Sequence, residues 1–161
     1  MSSVSEIQSR LNSTINKIRL TALKVLEIEG KKSIQLNFSQ QGRPKWAGKF
    51  MNDGRAILTG KTARLQSQIN VVRNDTASTV QIGSALPYSR IQQEGGTIPI
   101  TAKMRKFFWA KFKETGNVKW KYLALKKGGT INIPARPYLK IPESDFGRIK
   151  NSVERGVQQV I

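Results

Sequence analysis

The stretch "VSEIQSRLNSTINKIRLTALKVLEIEG", residues 4–30, decides the fold because its apolar side chains recur every three or four positions. That spacing places them along one face of an α-helix. The recurring residues are Val4, Ile7, Leu11, Ile15, Ile18, Ala22 and Val25. A Ser-rich start and Gly30 predict the two ends. We therefore expect a long N-terminal helix within residues 1–30, which either lies on a sheet or projects in part beyond it.

The middle of the chain predicts strands. Residues 31–60 carry Gly, Pro and a lone tryptophan, which is typical of an irregular segment or loop. In "INVVRNDTASTVQIG", residues 69–83, apolar side chains alternate on both sides of a polar turn, which predicts a hairpin. Further strands are predicted for Thr97 to Ile100 and for the residues before Ile133. We expect residues 61–141 to form a sheet with an inserted helix.

Two further helices complete the predicted fold. Thr101 suits the N-cap of a middle helix, and Pro142 suits the start of a C-terminal helix over residues 142–161. Glu143 and Asp145 then lie in the first turn, where the helix dipole favours acids. The sequence predicts an α+β fold in one domain, residues 1–161. A long N-terminal helix packs on a small antiparallel sheet of about four strands, with a middle helix and a C-terminal helix.

The composition limits the classes of function. The chain has 161 residues, no cysteine and no histidine, which removes disulfides, thiolate sites and the usual general base. No apolar run reaches the roughly 18 residues of a membrane span. In "GRAILTGKT" five residues separate Gly54 from Gly60, whereas a phosphate-binding P-loop has four. We expect a soluble non-enzyme without catalytic residues, cofactor or metal, and without a membrane partner.

The charge is strongly positive and uneven. There are 28 Lys and Arg residues against 10 Asp and Glu, a formal net charge of +18. Such a field favours nucleic acid, an acidic protein surface or an anionic membrane. Between residues 101 and 127 Glu114 is the only acid, and this region includes a candidate partner-binding cluster: Lys103, Arg105, Lys106, Lys111 and Lys113. Its aromatic neighbours fit either a core or a base-stacking surface.

The stretch "INIPARPYLKIP", residues 131–142, sets Arg136 between two prolines. Prolines stiffen the backbone, so such a segment loses little entropy on docking. Arg136 can make forked hydrogen bonds to a neighbouring subunit, and Tyr138 can act as an amphipathic anchor. The alternative is that Arg136 binds carbonyl groups of its own chain at a corner between strand and helix. Both interpretations are open at this point.

Four motifs in a fixed order carry a family resemblance: "TARLQSQI", "VQIGSALPYSRIQQEGG", "IPITAKMRKFFW" and "IPARPYL" before a terminal helix. Over roughly residues 57–157 the chain resembles the phage virion morphogenesis family, which holds the Mu-type morphogenesis protein and tail completion proteins. The resemblance implies a structural tail completion or head–tail neck component that joins tail to head. It also implies a homo-oligomeric ring, with six-fold symmetry taken from the family.

Partners and location follow from the same resemblance. The expected partners are neighbouring neck, connector or tail tube and terminator proteins. Double-stranded DNA is expected to pass through the ring without specific binding. The expected location is the tail or neck of the virion, and the host cytoplasm before assembly. Because a basic channel wall would retard DNA, we expect the basic cluster to face an acidic neighbouring ring or the tube exterior. A nucleic-acid-binding protein and a capsid assembly factor absent from the mature particle are the alternatives.

Overall fold

A computed structural model describes residues 3–51, 54–60 and 62–160. Its helices and strands confirm the α+β class, with a long N-terminal helix, small antiparallel sheets, and middle and C-terminal helices. The helices are α1 (Val4–Ser39), α2 (Arg64–Ser67), α3 (Ser89–Glu94), α4 (Ala102–Thr115), α5 (Val118–Leu125) and α6 (Phe146–Gln158). The strands are β1 (Asn70–Asn74), β2 (Thr79–Gly83), β3 (Gly96–Pro99) and β4 (Thr130–Ile133).

Helix α1 has 36 residues and is about 54 Å long at 1.5 Å per residue. Ser3 caps its start: the Ser3 hydroxyl accepts from the Glu6 amide, and the Glu6 carboxylate accepts from the Ser3 amide. The predicted end at Gly30 is wrong, because the helix continues to Ser39. Gly30 is buried where α1 meets β2, and a Cβ added there would lie 2.8 Å from Ile82 Cδ1. The glycine therefore permits close packing instead of ending the helix.

The four predicted strands form two separate two-stranded sheets instead of one. Strand β1 pairs with β2, and β3 pairs with β4, both antiparallel. Beyond β4, Pro134 and Pro137 have no amide hydrogen to extend a ladder. The intervening Arg136 amide donates to the Gln92 carbonyl at 2.8 Å, so the chain after β4 runs against α3 instead of a further strand.

Two clusters of buried apolar side chains hold these elements. The first joins the C-terminal part of α1 to the segments around it: Ile34, Phe38, Trp46, Leu65, Leu86 and Tyr138. The second lies between α4, α5 and the β3–β4 pair: Phe108, Leu123 and Ala124, with Ile100, Met104, Trp120 and Ile131 packed against them. The cap of Thr101 on the Met104 amide, predicted for the middle helix, is present.

A buried polar network anchors the C-terminal half of α1 to the start of α6. The Arg43 guanidinium donates to both oxygens of the Asp145 carboxylate, at 2.9 and 2.8 Å. It also donates to the Ser33 carbonyl and to Asn37 Oδ1. Asn37 in turn donates to the carbonyl of Tyr138 at 2.9 Å. The sequence predicts that Asp145 interacts favourably with the dipole of its own helix. The structure shows that its carboxylate also accepts hydrogen bonds from Arg43 and Ser33.

Helix α6 packs along α1 in the opposite direction. Arg148, near its start, pairs with Glu29, and a Cβ added at Gly156, near its end, would lie 3.0 Å from Val25 Cγ2. A 3₁₀ turn over Glu143–Asp145 precedes α6, so the α-helix begins at Phe146, four residues after the predicted start at Pro142.

Candidate interaction surface

Helices α4 and α5 form a helical hairpin, and the predicted basic cluster lies along α4. Gly116 ends α4 in the left-handed conformation, with φ at 66°. Asn117 then caps α5 by accepting from the Lys119 amide at 3.0 Å. The inner face of the hairpin is fixed by Phe108 of α4, which packs on Leu123 of α5. The hairpin thus sets which basic side chains of α4 face outward.

Two members of the predicted basic cluster have contacts within the chain. Arg105 is half-buried and donates to the carbonyls of Ala124 at 2.7 Å and Lys126 at 2.9 Å. It thereby satisfies carbonyls that the end of α5 leaves without helical partners. Lys111 pairs with Glu114 at 2.6 Å. Within the chain the Arg105 guanidinium thus joins α4 to the end of α5, and contact of Arg105 with a partner stays a prediction.

The other three members lie together on an open face. Lys103, Lys106 and Lys113 are exposed, and their spacing of three and seven residues places them on one side of α4. None of the three has an ion-pair partner within the residues that the structure describes. Their ammonium groups remain available to an acidic partner, and we refer to these three residues as the α4 basic face.

Aromatic side chains near the hairpin divide between core and surface. Phe108 is buried, with 6% of its surface exposed, whereas Phe107 is 51% exposed and Trp109 is 37% exposed. On α5, Tyr122 is 57% exposed and its ring lies 6.4 Å from that of Phe50. The surface beside the α4 basic face is therefore partly apolar, which suits a protein partner.

Arg136 lies inside the chain. The whole residue is 7% exposed. Its guanidinium donates to the carbonyls of Ala47 at 3.3 Å and Gly48 at 3.4 Å. It also donates to Gln92 Oε1 at 3.2 Å. Burial lowers the pKa of the guanidinium below its usual value. These contacts support the alternative in which Arg136 binds carbonyls of its own chain, and its contact with a neighbouring subunit stays a prediction.

Tyr138 is also internal. It has no exposed surface, its ring lies 5.6 Å from that of Phe38, and its hydroxyl donates to the Ser89 carbonyl at 3.3 Å. Burial, the largest effect, raises the pKa of this phenol. In the single chain the surface of Tyr138 is covered by the first buried cluster and its neighbours, and the role of Tyr138 as an anchor for a partner stays a prediction.

The structure places Arg43 and Asp145 together, which sequence reasoning missed. They are 102 residues apart, and nothing in the spacing of charges along the chain marks them as partners. Helix α5 was missed as well, although Gly116 followed by Asn117 is a recognisable end-and-cap signal.

The model of the phage virion morphogenesis family matches residues 5–158. The chain belongs to this family. No curated protein and no solved structure matches it. The match extends the resemblance seen in the four motifs to α1 and to the end of α6. Membership of the phage virion morphogenesis family gives the chain a structural or assembly role in a bacteriophage.

Members of the phage virion morphogenesis family are typically structural rather than catalytic, and the family implies a virion location. Within the described residues, no helix combines the length and apolar character that crossing a membrane requires. In the same part of the chain, no group of three or more acidic, His or Cys side chains could hold a metal ion.

Proposed function

We propose that this protein is a tail completion or head–tail neck component that assembles as a homo-oligomeric ring, with six subunits, and joins the tail to the head. The observation that carries the proposal is the family match over residues 5–158. A ring suits this task because a part that closes a tube shares the rotational symmetry of the tube.

The α4 basic face supplies the partner contact in this proposal. Lys103, Lys106 and Lys113 are exposed on one side of α4 beside the half-exposed ring of Phe107. An acidic ring of the neck or tail would be attracted and oriented by such a surface, and apolar contact would add affinity. Double-stranded DNA passes through the ring without specific binding, because phosphate binding by the wall would oppose its movement.

Reversing two charges of the α4 basic face is expected to impair head–tail joining. We expect the double variant Lys106→Glu, Lys113→Glu to lower the yield of infectious particles at least about tenfold, because like charges at an interface cost several kcal/mol. The measurement is the titre from a phage that carries the variant, with electron microscopy to count separate heads and tails. Both side chains are exposed, so the thermal stability of the chain should stay unchanged.

A matched control is available on α1. Lys24 and Lys31 are also exposed, also seven residues apart on one helix, and their reversal to glutamate changes the net charge equally. We expect near-normal titres from that variant. Equal titres from the two double variants would contradict the role of the α4 basic face.

The location is tested separately by labelling the chain in purified virions. A label at the junction of head and tail in electron micrographs supports the neck proposal. A label that is absent from every finished particle would favour an assembly factor that leaves before maturation.

The positive charge and the exposed aromatic rings favour a second candidate, a nucleic-acid-binding protein. Lys119 Nζ lies 5.5 Å from the centre of the Phe50 ring, so cations and rings share one surface. Fluorescence anisotropy with duplex and single-stranded DNA over a salt series separates the candidates. Under the neck proposal we expect binding to be lost by moderate salt. Tight binding at physiological salt would favour the second candidate.

A further inference from the structure

The N-terminal part of α1 presents apolar side chains that nothing in the described chain covers. Val4 is 82% exposed, Ile7 58%, Leu11 57% and Ile15 54%. Every residue from 3 to 13 is exposed. We call these four residues the α1 stripe. A helix without tertiary contacts is marginally stable by itself, because most helical stability in proteins comes from packing of the apolar face.

Further along α1 the same apolar line is covered by a helix. Helix α6 packs on α1 where Gly156 approaches Val25 and where Arg148 pairs with Glu29. Because α6 ends at Gln158, the α1 stripe continues this packing surface toward the N-terminus, beyond the end of α6. This face of α1 therefore already binds one helix, and its uncovered part has the side chains to pack against another.

The apolar line of α1 also has a seven-residue repeat. Val4, Leu11, Ile18 and Val25 are each seven positions apart, and Ile7 lies on the same side of the helix. A seven-residue apolar repeat forms the seam along which one helix winds against another. The spacing thus indicates that the occupant of the α1 stripe is a helix running along α1 and not a strand or a loop.

A row of basic side chains follows the same seven-residue spacing beside this seam. Its members are Arg10, Lys17, Lys24 and Lys31, and all four are exposed. At about 100° per residue, the first two lie about 60–80° around the helix from Ile7, at the edge of the α1 stripe. None of the four has an ion-pair partner within the residues that the structure describes. Charges that flank such a seam select a partner helix with opposite charges.

The remaining charges near the α1 stripe do not neutralise this row. Arg19 lies at the other edge of the stripe and donates to Ser78 Oγ at 3.2 Å. Glu6 is the only acid in residues 1–26, and its carboxylate caps the start of α1. A second copy of α1 would therefore bring no free acid to Arg10 and Lys17. The charges favour an acidic helix from a different protein.

We infer that the α1 stripe is a docking site for an acidic amphipathic helix of another protein, whose carboxylates pair with Arg10 and Lys17. The inference goes beyond the proposed neck function, since it uses neither the ring nor the α4 basic face. Lys24 and Lys31 lie beside the part of α1 that α6 covers, so they are outside the contact. Because the two partners differ, each subunit binds one helix and the contact requires no two-fold axis between copies.

Two synthetic helical peptides of about three heptads test the inference. Both carry leucine or isoleucine at the seam positions, and the flanking positions are glutamate in one and lysine in the other. Each labelled peptide is titrated with the purified full chain at physiological salt and followed by fluorescence anisotropy. We expect the glutamate peptide to bind at least about tenfold more tightly than the lysine peptide. Equal affinities, or no binding of either peptide, would overturn the inference.

Charge reversal locates the contact on α1. The double variant Arg10→Glu, Lys17→Glu is expected to bind the glutamate peptide about tenfold more weakly and the lysine peptide more tightly than the natural chain does. The matched control is Lys24→Glu, Lys31→Glu, which changes the net charge equally at the same spacing on the same helix and should keep the natural preference. Equal losses in the two double variants would show attraction by net charge alone and would contradict the inference.

An apolar substitution tests the α1 stripe itself. Leu11→Ala should weaken binding of the glutamate peptide at least about fivefold, whereas Ser13→Ala, on the opposite face, should leave it unchanged. Both positions are exposed, so thermal unfolding should be the same for both variants. If the peptides do not bind, and Leu11→Ala instead abolishes self-association or binding to phosphatidylserine vesicles, the occupant is a second copy or a lipid surface, and the inference is overturned.

Failure here and failure of the neck proposal are distinguishable. A chain that lies at the neck in labelled virions, yet binds both peptides equally, refutes the docking site on α1 alone. A chain that selects the glutamate peptide through Arg10 and Lys17 but is absent from finished particles refutes the neck position alone.

Discussion

Replacing Tyr138 with alanine is expected to lower the free energy of unfolding by about 4 kcal/mol, the typical cost of removing a large aromatic side chain from a core. Tyr138 has no exposed surface and packs against Phe38 in the first buried cluster. Urea denaturation of the purified chain measures the loss.

Two control variants separate packing from other effects at Tyr138. Tyr138→Phe keeps the ring and removes only the hydrogen bond to the Ser89 carbonyl, so we expect a loss of about 1 kcal/mol. Tyr122→Ala removes a tyrosine that is 57% exposed and should cost less than about 1 kcal/mol. A Tyr138→Ala variant as stable as Tyr122→Ala would show that the ring is not part of the core, and would restore the prediction that it anchors a partner.

Replacing Asp145 with asparagine is the second change with a large expected effect, about 3 kcal/mol of lost stability near neutral pH. Breaking one side of a buried ion pair leaves the other charge without compensation. Here Arg43, with a side chain 15% exposed, would retain its charge beside a neutral amide. The measurement is the free energy of unfolding from urea denaturation at pH 7.

The same pair predicts a dependence on pH. Hydrogen bonds from Arg43, the largest cause, hold the pKa of the Asp145 carboxyl below its ordinary value of 3.8. A carboxyl whose folded pKa is depressed contributes its full stability above the ordinary pKa. That stability is lost as the pH falls through the folded pKa. We therefore expect the gap between the natural chain and Asp145→Asn to be constant above about pH 5 and to close in stronger acid.

Asp75→Asn is the matched control for this experiment. Asp75 also pairs with an arginine, Arg73, but its side chain is 44% exposed. Exposed ion pairs contribute about 0–1 kcal/mol. If Asp75→Asn and Asp145→Asn cost the same, burial of the Arg43–Asp145 pair does not have the effect expected here.

The elements of the fold were largely predictable, and their ends and groupings were less so. The apolar period of α1 is clear up to Val25, but the residues buried beyond it include Gly30, Ser33 and Asn37. Polar and glycine residues at buried positions interrupt the apolar periodicity, so the sequence predicts that the helix ends at Gly30. The grouping of four strands into two pairs depends on where the chain goes after Pro134, and local sequence does not contain that information.

The candidate interaction surface was likewise predictable only in part. A count of charges located the basic region, and exposure then separates Lys103, Lys106 and Lys113 from Arg105, which binds carbonyls of α5. Arg136 stood out in the sequence because of the prolines beside it, and those prolines shape a segment that buries it. Stiffness of the backbone was visible in the sequence, whereas the direction of the side chain depends on α3 and on residues near Ala47.

The network around Arg43 and the packing of α6 together hold α1 between Thr21 and Asn37, while every residue from 3 to 13 is exposed. At 1.5 Å per residue, the helix extends about 26 Å beyond Thr21 to its start at Val4. A tilt of about 10° at Thr21 therefore moves the N-terminal tip of α1 by roughly 4–5 Å. In the ring proposed above, the angle between α1 and α6 thus sets the distance between the helix tips of neighbouring copies.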